Sequence, residues 1–156
     1  MRHLPSRFAK LSAVKKSRVT ISAAAEADYL ADVALAARFS ELLARAQAVE
    51  QEYRQAQADR APGRDQYRLA HSLDVALTDV TRAAYAAQRA EIGPRGYEDR
   101  IYHRKANATP AVHAWTTEAE RLLTLRETHR LTGFPARPET DALDVPVARV
   151  PLGRHP

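Results

Sequence analysis

Residues 23–60 read AAAEADYLADVALAARFSELLARAQAVEQEYRQAQADR. No Gly or Pro interrupts them, and they are rich in Ala, Leu, Glu, Gln and Arg, residues that lose little side-chain freedom in a helix. Ser22 precedes them as a candidate N-cap, and Glu26 and Asp28 sit near the positive end of the helix dipole. Leu35, Phe39, Leu42, Ala46, Val49, Tyr53 and Ala56 recur at spacings 4, 3, 4, 3, 4, 3, a three-heptad apolar seam. Arg38, Glu41, Arg45, Glu52 and Asp59 occupy the opposite face. The stretch therefore predicts one long amphipathic helix, and everything else is organised around what covers its seam.

Ala61-Pro62-Gly63 stops that helix, Gly63 supplying a backbone conformation that other residues resist. Asp65 is the candidate N-cap of a second helix running to about Ala90, with a seam of Ala70, Leu73, Leu77, Val80, Ala84 and Ala87. Ile92-Gly93-Pro94 ends it. Two such helices on a short connection predict an antiparallel hairpin, its alanines allowing close approach. Residues 93–108 form a polar connector with one short helix over Tyr97–Lys105. Thr109-Pro110 opens a third helix to about Thr132, closed by Gly133; its apolar side is Val112, Trp115, Ala119, Leu122, Leu123 and Leu131. The expected fold is all-α: a long antiparallel helical hairpin plus a third helix over residues 23–133. An extended basic arm (residues 1–22) precedes it and an extended Pro-rich tail (residues 134–156) follows.

The two ends differ in character. Six cations, Arg2, Arg7, Lys10, Lys15, Lys16 and Arg18, precede the first acid, Glu26. Residues 93–108 add four cations against two acids, while the rest of the chain is near neutral or slightly acidic; together these make the net charge +5. Segregated charge of this kind points to a polyanion or an anionic surface. The arm also contains Leu4, Phe8, Leu11 and Val14 at helical spacing, several serines and no acid, the composition of a mitochondrial transit segment. A secretory signal is not expected, since the arm has no continuous apolar run. The tail carries five of the nine prolines, and its Val145, Val147, Val150 and Leu152 are apolar groups suited to lying on a protein partner.

Chemical signatures are sparse. With no Cys, disulfides, thiolate metal sites and thiol catalysis are excluded. No Gly-rich phosphate loop, nucleophile elbow, His-Glu-x-x-His or calcium loop occurs. His71 and Asp74 lie one turn apart, a spacing more suited to a surface hydrogen bond than to chemistry; His113 and Trp115 fit packing beside a polar edge. Asn107-Ala-Thr109 has the form of a glycosylation acceptor, but Thr109 fits a capping role better. Arg95, Arg100, Arg104 and Lys105, interleaved with Tyr97, Tyr102 and His103, combine cations for phosphate with rings on which exposed bases stack.

One short pattern is shared with known proteins. Arg18-Val19-Thr20-Ile21-Ser22, followed by helix and then Ser40-Glu41-Leu42-Leu43, resembles the ribbon-helix-helix DNA-binding proteins. The resemblance spans about thirty residues and implies a short strand that enters the major groove as a dimeric ribbon. No Gly separates the two would-be helices, and the seam from Leu35 to Ala56 crosses the expected turn.

These readings converge on a non-enzymatic accessory subunit of a large assembly, with no cofactor. A mitochondrial ribosomal subunit on the matrix side, touching RNA and neighbouring proteins, best joins the arm to the Arg/aromatic patch. The expected nucleic-acid contacts are the six arm cations with Arg95, Arg100, Tyr102, Arg104 and Lys105. The alternatives are an accessory subunit of a respiratory or ATP synthase complex, a homodimeric coiled-coil adaptor, and a bacterial or phage DNA-binding protein in the cytoplasm.

Overall fold

A computed structural model describes residues 20–135. They are all-helical: α1 spans Ala23–Ala36, α2 Phe39–Ala58, α3 Gly63–Ile92, α4 Arg100–Ala106 and α5 Pro110–Thr128. A 3₁₀ turn over Pro94–Tyr97 precedes α4, and a π-helical turn over His129–Gly133 follows α5. The basic arm through Arg18 and the tail residues Val145, Val147, Val150 and Leu152 lie outside the described residues.

The predicted helix over 23–60 is two helices. Ser22 caps the first as expected, its hydroxyl accepting from the Ala25 N–H at 3.2 Å. The break falls at Ala37–Arg38, where the Arg38 N–H bonds to Leu35 O three residues back and Arg38 adopts φ −88°, ψ 0°. The break coincides with a change in the spacing of one inward-facing row. Ala25, Tyr29, Asp32, Ala36, Phe39, Leu42, Ala46, Val49 and Tyr53 are all buried or half-buried, at spacings 4, 3, 4, 3, 3, 4, 3, 4. Two consecutive threes overwind an α-helix that must keep one face inward, and a tightened turn absorbs the excess.

α3 is the central element: α1, α2 and α5 all pack on it. It begins at Gly63, not Asp65, with Pro62 at the cap; Asp65 lies in the first turn. Nor does Gly63 supply the special conformation of the turn. That role falls to Arg60, in the left-handed region with φ 52°. Around it the Ala61 N–H bonds to Ala56 O and the Arg60 N–H to Gln57 O, the paired bonds of a Schellman closure. Gly93, with φ 87°, ends α3.

The core is made of small side chains between close helices. Ala70, Ala83, Ala84 and Ala119 are fully buried with Val80 and Leu122, Leu73 and Leu77 are nearly so, and Leu42, Ala46 and Tyr53 close the α2 side. Phe39 meets the Trp115 ring edge-on at 5.1 Å, joining α2 to α5. Leu131, expected on the apolar side of the third helix, is instead 85% exposed, because the π turn after Thr128 rotates it away from the α5 stripe. His129 is buried in that turn instead, 2.8 Å from Ala70 O and edge-on to Tyr53.

Candidate nucleic-acid interface

The end of the bundle that carries the basic connector is assembled around Asp32. Arg89 on α3 grips both Asp32 carboxylate oxygens at 2.7 Å, and the Tyr97 hydroxyl donates to the same group at 2.6 Å. Burial raises the Asp32 pKa, but the bonds from Arg89 and Tyr97 and the Arg89 charge outweigh it, so its carboxyl lies below the usual range. Burial and the Asp32 carboxylate both push the Tyr97 hydroxyl upward, keeping it a neutral donor. Tyr29 meets Tyr97 edge-on at 6.2 Å. α1, α3 and the 3₁₀ turn are thereby held in one place.

Asp99 caps α4, its side chain accepting from the Ile101 and Tyr102 N–H groups at 3.0 and 2.9 Å. The Tyr102 N–H and the Arg95 guanidinium hold its carboxyl below the ordinary value. Arg95 forks onto Asp99 at 2.8 Å and lies over the Tyr102 ring, 5.0 Å from its centroid. Two predicted contact residues are thus engaged with each other and with an acid. Arg100, Arg104 and Lys105 are exposed and make no ion pair with a described acid, and Ile101 and Tyr102 are exposed beside them. His103 turns inward, its Nδ1 3.3 Å from Gly96 O.

The chain enters this same end. The Ser22 N–H donates to a Glu98 carboxylate oxygen at 2.6 Å, so the residues that follow the six-cation arm are fixed beside α4. The arm cations lie outside the described residues, but their attachment point and the α4 cations share one end. The other attachment point is remote. Phe134 packs edge-on to Tyr67 at 5.8 Å and against His129, and Tyr53 donates to Gly133 O. Tyr67 lies near the start of α3, whose thirty residues span about 45 Å. Arm and tail therefore join opposite ends of the body.

Asp74 pairs with Arg130 at 2.6 Å, with Arg126 nearby, and makes no bond to His71. His113 is exposed, while Trp115 packs on Phe39. Thr109 occupies the cap position of α5 but its hydroxyl bonds back to Ala106 O, so it contributes no side-chain cap. Among the described residues no group of His, Asp or Glu is gathered in a way that could hold a metal ion, and no helix is long and apolar enough to cross a membrane.

Sequence reasoning missed Asp32, Glu98 and Asp99 as organising residues. Asp99, immediately ahead of a short helical run, carried a readable capping signal. Asp32 and Glu98 carried none, because their partners are distant in sequence. Comparison with family profiles, curated proteins and solved structures gives no match to this chain.

Proposed function

We propose that the protein is a non-enzymatic accessory subunit that grips a polyanion, most simply RNA, at the α1–α4 end and reaches a protein neighbour through its Pro-rich tail. The observation that carries this reading is the Ser22–Glu98 bond, which brings the attachment of a six-cation arm near the three α4 cations that pair with no described acid. Cations supplied by two distant segments at one end make a multivalent phosphate contact, and Tyr102 adds a ring face. The body between them is a spacer, α2 and α3 forming a pair that α5 covers. The assembly that best joins this contact to the transit-like arm is the mitochondrial ribosome.

A second reading is supported by one specific observation. The break at Ala37–Arg38 falls where the ribbon-helix-helix pattern expects its turn, although no strand occurs among the described residues. On this reading the protein holds duplex DNA. Purification of the native protein at low salt, with nuclease digestion of what accompanies it, separates the cases. Ribosomal RNA supports the first and duplex DNA the second. A membrane enzyme without nucleic acid overturns both.

A further inference from the structure

α4 divides by side. His103 turns inward to Gly96 O, and Ala106 is half-buried. Ile101, Tyr102, Arg104 and Lys105 are exposed. Lys105 follows Ile101 by four positions and Tyr102 by three, so it stands one helical turn from both. α4 contains no acid. Its outward side is a ring and an aliphatic group rimmed by cations.

Tyr102 is held in place. Arg95 lies over one face of its ring, the guanidinium carbon 5.0 Å from the centroid. Two nitrogens of that guanidinium donate to Asp99 Oδ2 at 3.1 and 2.8 Å. The other oxygen, Oδ1, accepts from the Tyr102 N–H at 2.9 Å. One carboxylate thus fixes both the backbone of the tyrosine and the cation above its ring. With that face covered the side chain is still 38% exposed, so the open part lies on the opposite face. A fixed ring with one open face is a one-sided stacking platform.

The ring decides among anionic partners. A membrane surface calls for a broad apolar face, and α4, about 10 Å long, turns a single aliphatic side chain outward. An acidic peptide has no use for a ring face held open. Duplex nucleic acid offers phosphates but keeps its bases paired and stacked on one another. An unpaired base uses both features: its face stacks on the tyrosine while flanking phosphates meet Arg104 and Lys105.

We propose that Tyr102 stacks on one unpaired base, so that the α4 end takes single-stranded RNA in preference to duplex, with Arg95 and Asp99 as positioning residues for the ring. This rests on the polyanion reading above and names its substrate class. Arg95, expected from sequence to contact nucleic acid directly, acts instead through Tyr102.

The full chain is titrated with a twenty-nucleotide RNA that does not pair with itself, and with the same strand annealed to its complement, at several salt concentrations. At equal salt the single strand should bind at least about tenfold tighter. Tyr102→Leu should weaken single-strand binding about tenfold and leave both the duplex affinity and the slope of log K against log salt unchanged. Tyr102→Phe should bind as the parent does. Arg95→Gln should weaken single-strand binding at unchanged slope, and adding it to Tyr102→Leu should cost nothing more. A slope reduced by about 0.7 in Arg95→Gln, with effects that add, puts Arg95 on a phosphate and overturns its positioning role. Equal binding of the two RNA forms, or a Tyr102→Leu protein that binds as the parent does, overturns the stacking. So does a Tyr102→Leu protein whose slope falls with its affinity, because the ring then only shapes α4. Salt-dependent RNA binding without a ring effect leaves the polyanion reading standing; RNA binding that is absent or indifferent to salt removes both. Capture of phosphatidylserine vesicles in place of RNA, lost in Ile101→Ser with Tyr102→Ser, assigns the face to a membrane and overturns the proposal.

Discussion

Ser22 and Glu98 are seventy-six positions apart, yet the backbone N–H of one donates to the carboxylate of the other at 2.6 Å. This bond ties the start of α1 to the 3₁₀–α4 segment at the surface. A charge-assisted bond to an exposed carboxylate contributes about 1 kcal/mol or less. Glu98→Ala should therefore leave the global melt nearly unchanged while the first-turn amides of α1 exchange faster. Hydrogen exchange followed by mass spectrometry reads both, and unchanged α1 exchange contradicts the anchoring role.

The Asp32 clasp predicts a pH dependence. Its folded-state pKa is depressed below the ordinary 3.8, so its contribution is present above that value and is lost as pH falls through the folded-state value. Asp32→Asn should lower stability by about 1–2 kcal/mol at neutral pH, since one charged hydrogen-bonding partner of Arg89 and Tyr97 is weakened. The gap between the two proteins should stay level from pH 5 to 8 (an interval set by that ordinary value) and narrow only below about 4. Denaturant midpoints across pH measure it.

Arg60 is a non-glycine residue at φ 52° in a closure that glycine serves best. Arg60→Gly should stabilise the fold by about 1 kcal/mol, because the left-handed penalty disappears and only a partly offsetting backbone entropy returns. Gly63→Ala, within α3 and with open space around the added methyl, should cost nothing or stabilise slightly. Thermal melts of both variants distinguish this assignment of the turn from one centred on Gly63.

The close approach of α2 and α5 to α3 depends on alanine. Ala84 is fully buried, and Ala84→Leu should destabilise by about 1–3 kcal/mol through overpacking. Leu42→Ala, at 4% exposure, should cost about 2–5 kcal/mol through the cavity it leaves. Chemical denaturation with circular dichroism gives both values. A Leu131→Ala change, on a side chain 85% exposed, should be neutral.

The sequence carried helix type and inward faces well, because Leu42, Tyr53, Leu73, Val80 and Leu122 repeat with helical period and the repeat is what burial requires. The break at Ala37–Arg38 is harder to read. A seam that starts at Leu35 passes over the earlier row of Ala25, Tyr29, Asp32 and Ala36, which is partly built of alanine and an acid and so carries little apolar signal. Composition points to Gly63 for the turn, but the left-handed residue is Arg60, since the geometry here does not require glycine. At the basic end, charge marked the cations but not which remain unpaired: Arg95 is consumed by Asp99 and Tyr102, four and seven positions on. The meeting of Ser22 with Glu98 depends on tertiary packing and left no trace in local pattern.

The salt dependence of RNA retention tests the central claim most directly. The full chain is titrated with an RNA of about twenty nucleotides at several salt concentrations, beside two variants: one with Arg2, Arg7, Lys10, Lys15, Lys16 and Arg18 changed to Gln, the other with Arg100, Arg104 and Lys105 so changed. For single strands the slope of log K against log salt is about −0.7 per phosphate neutralised. Both variants should therefore lose slope, the arm variant by up to about 4 and the α4 variant by about 2. A slope near zero in the full chain, or one that neither set of substitutions alters, would contradict the account.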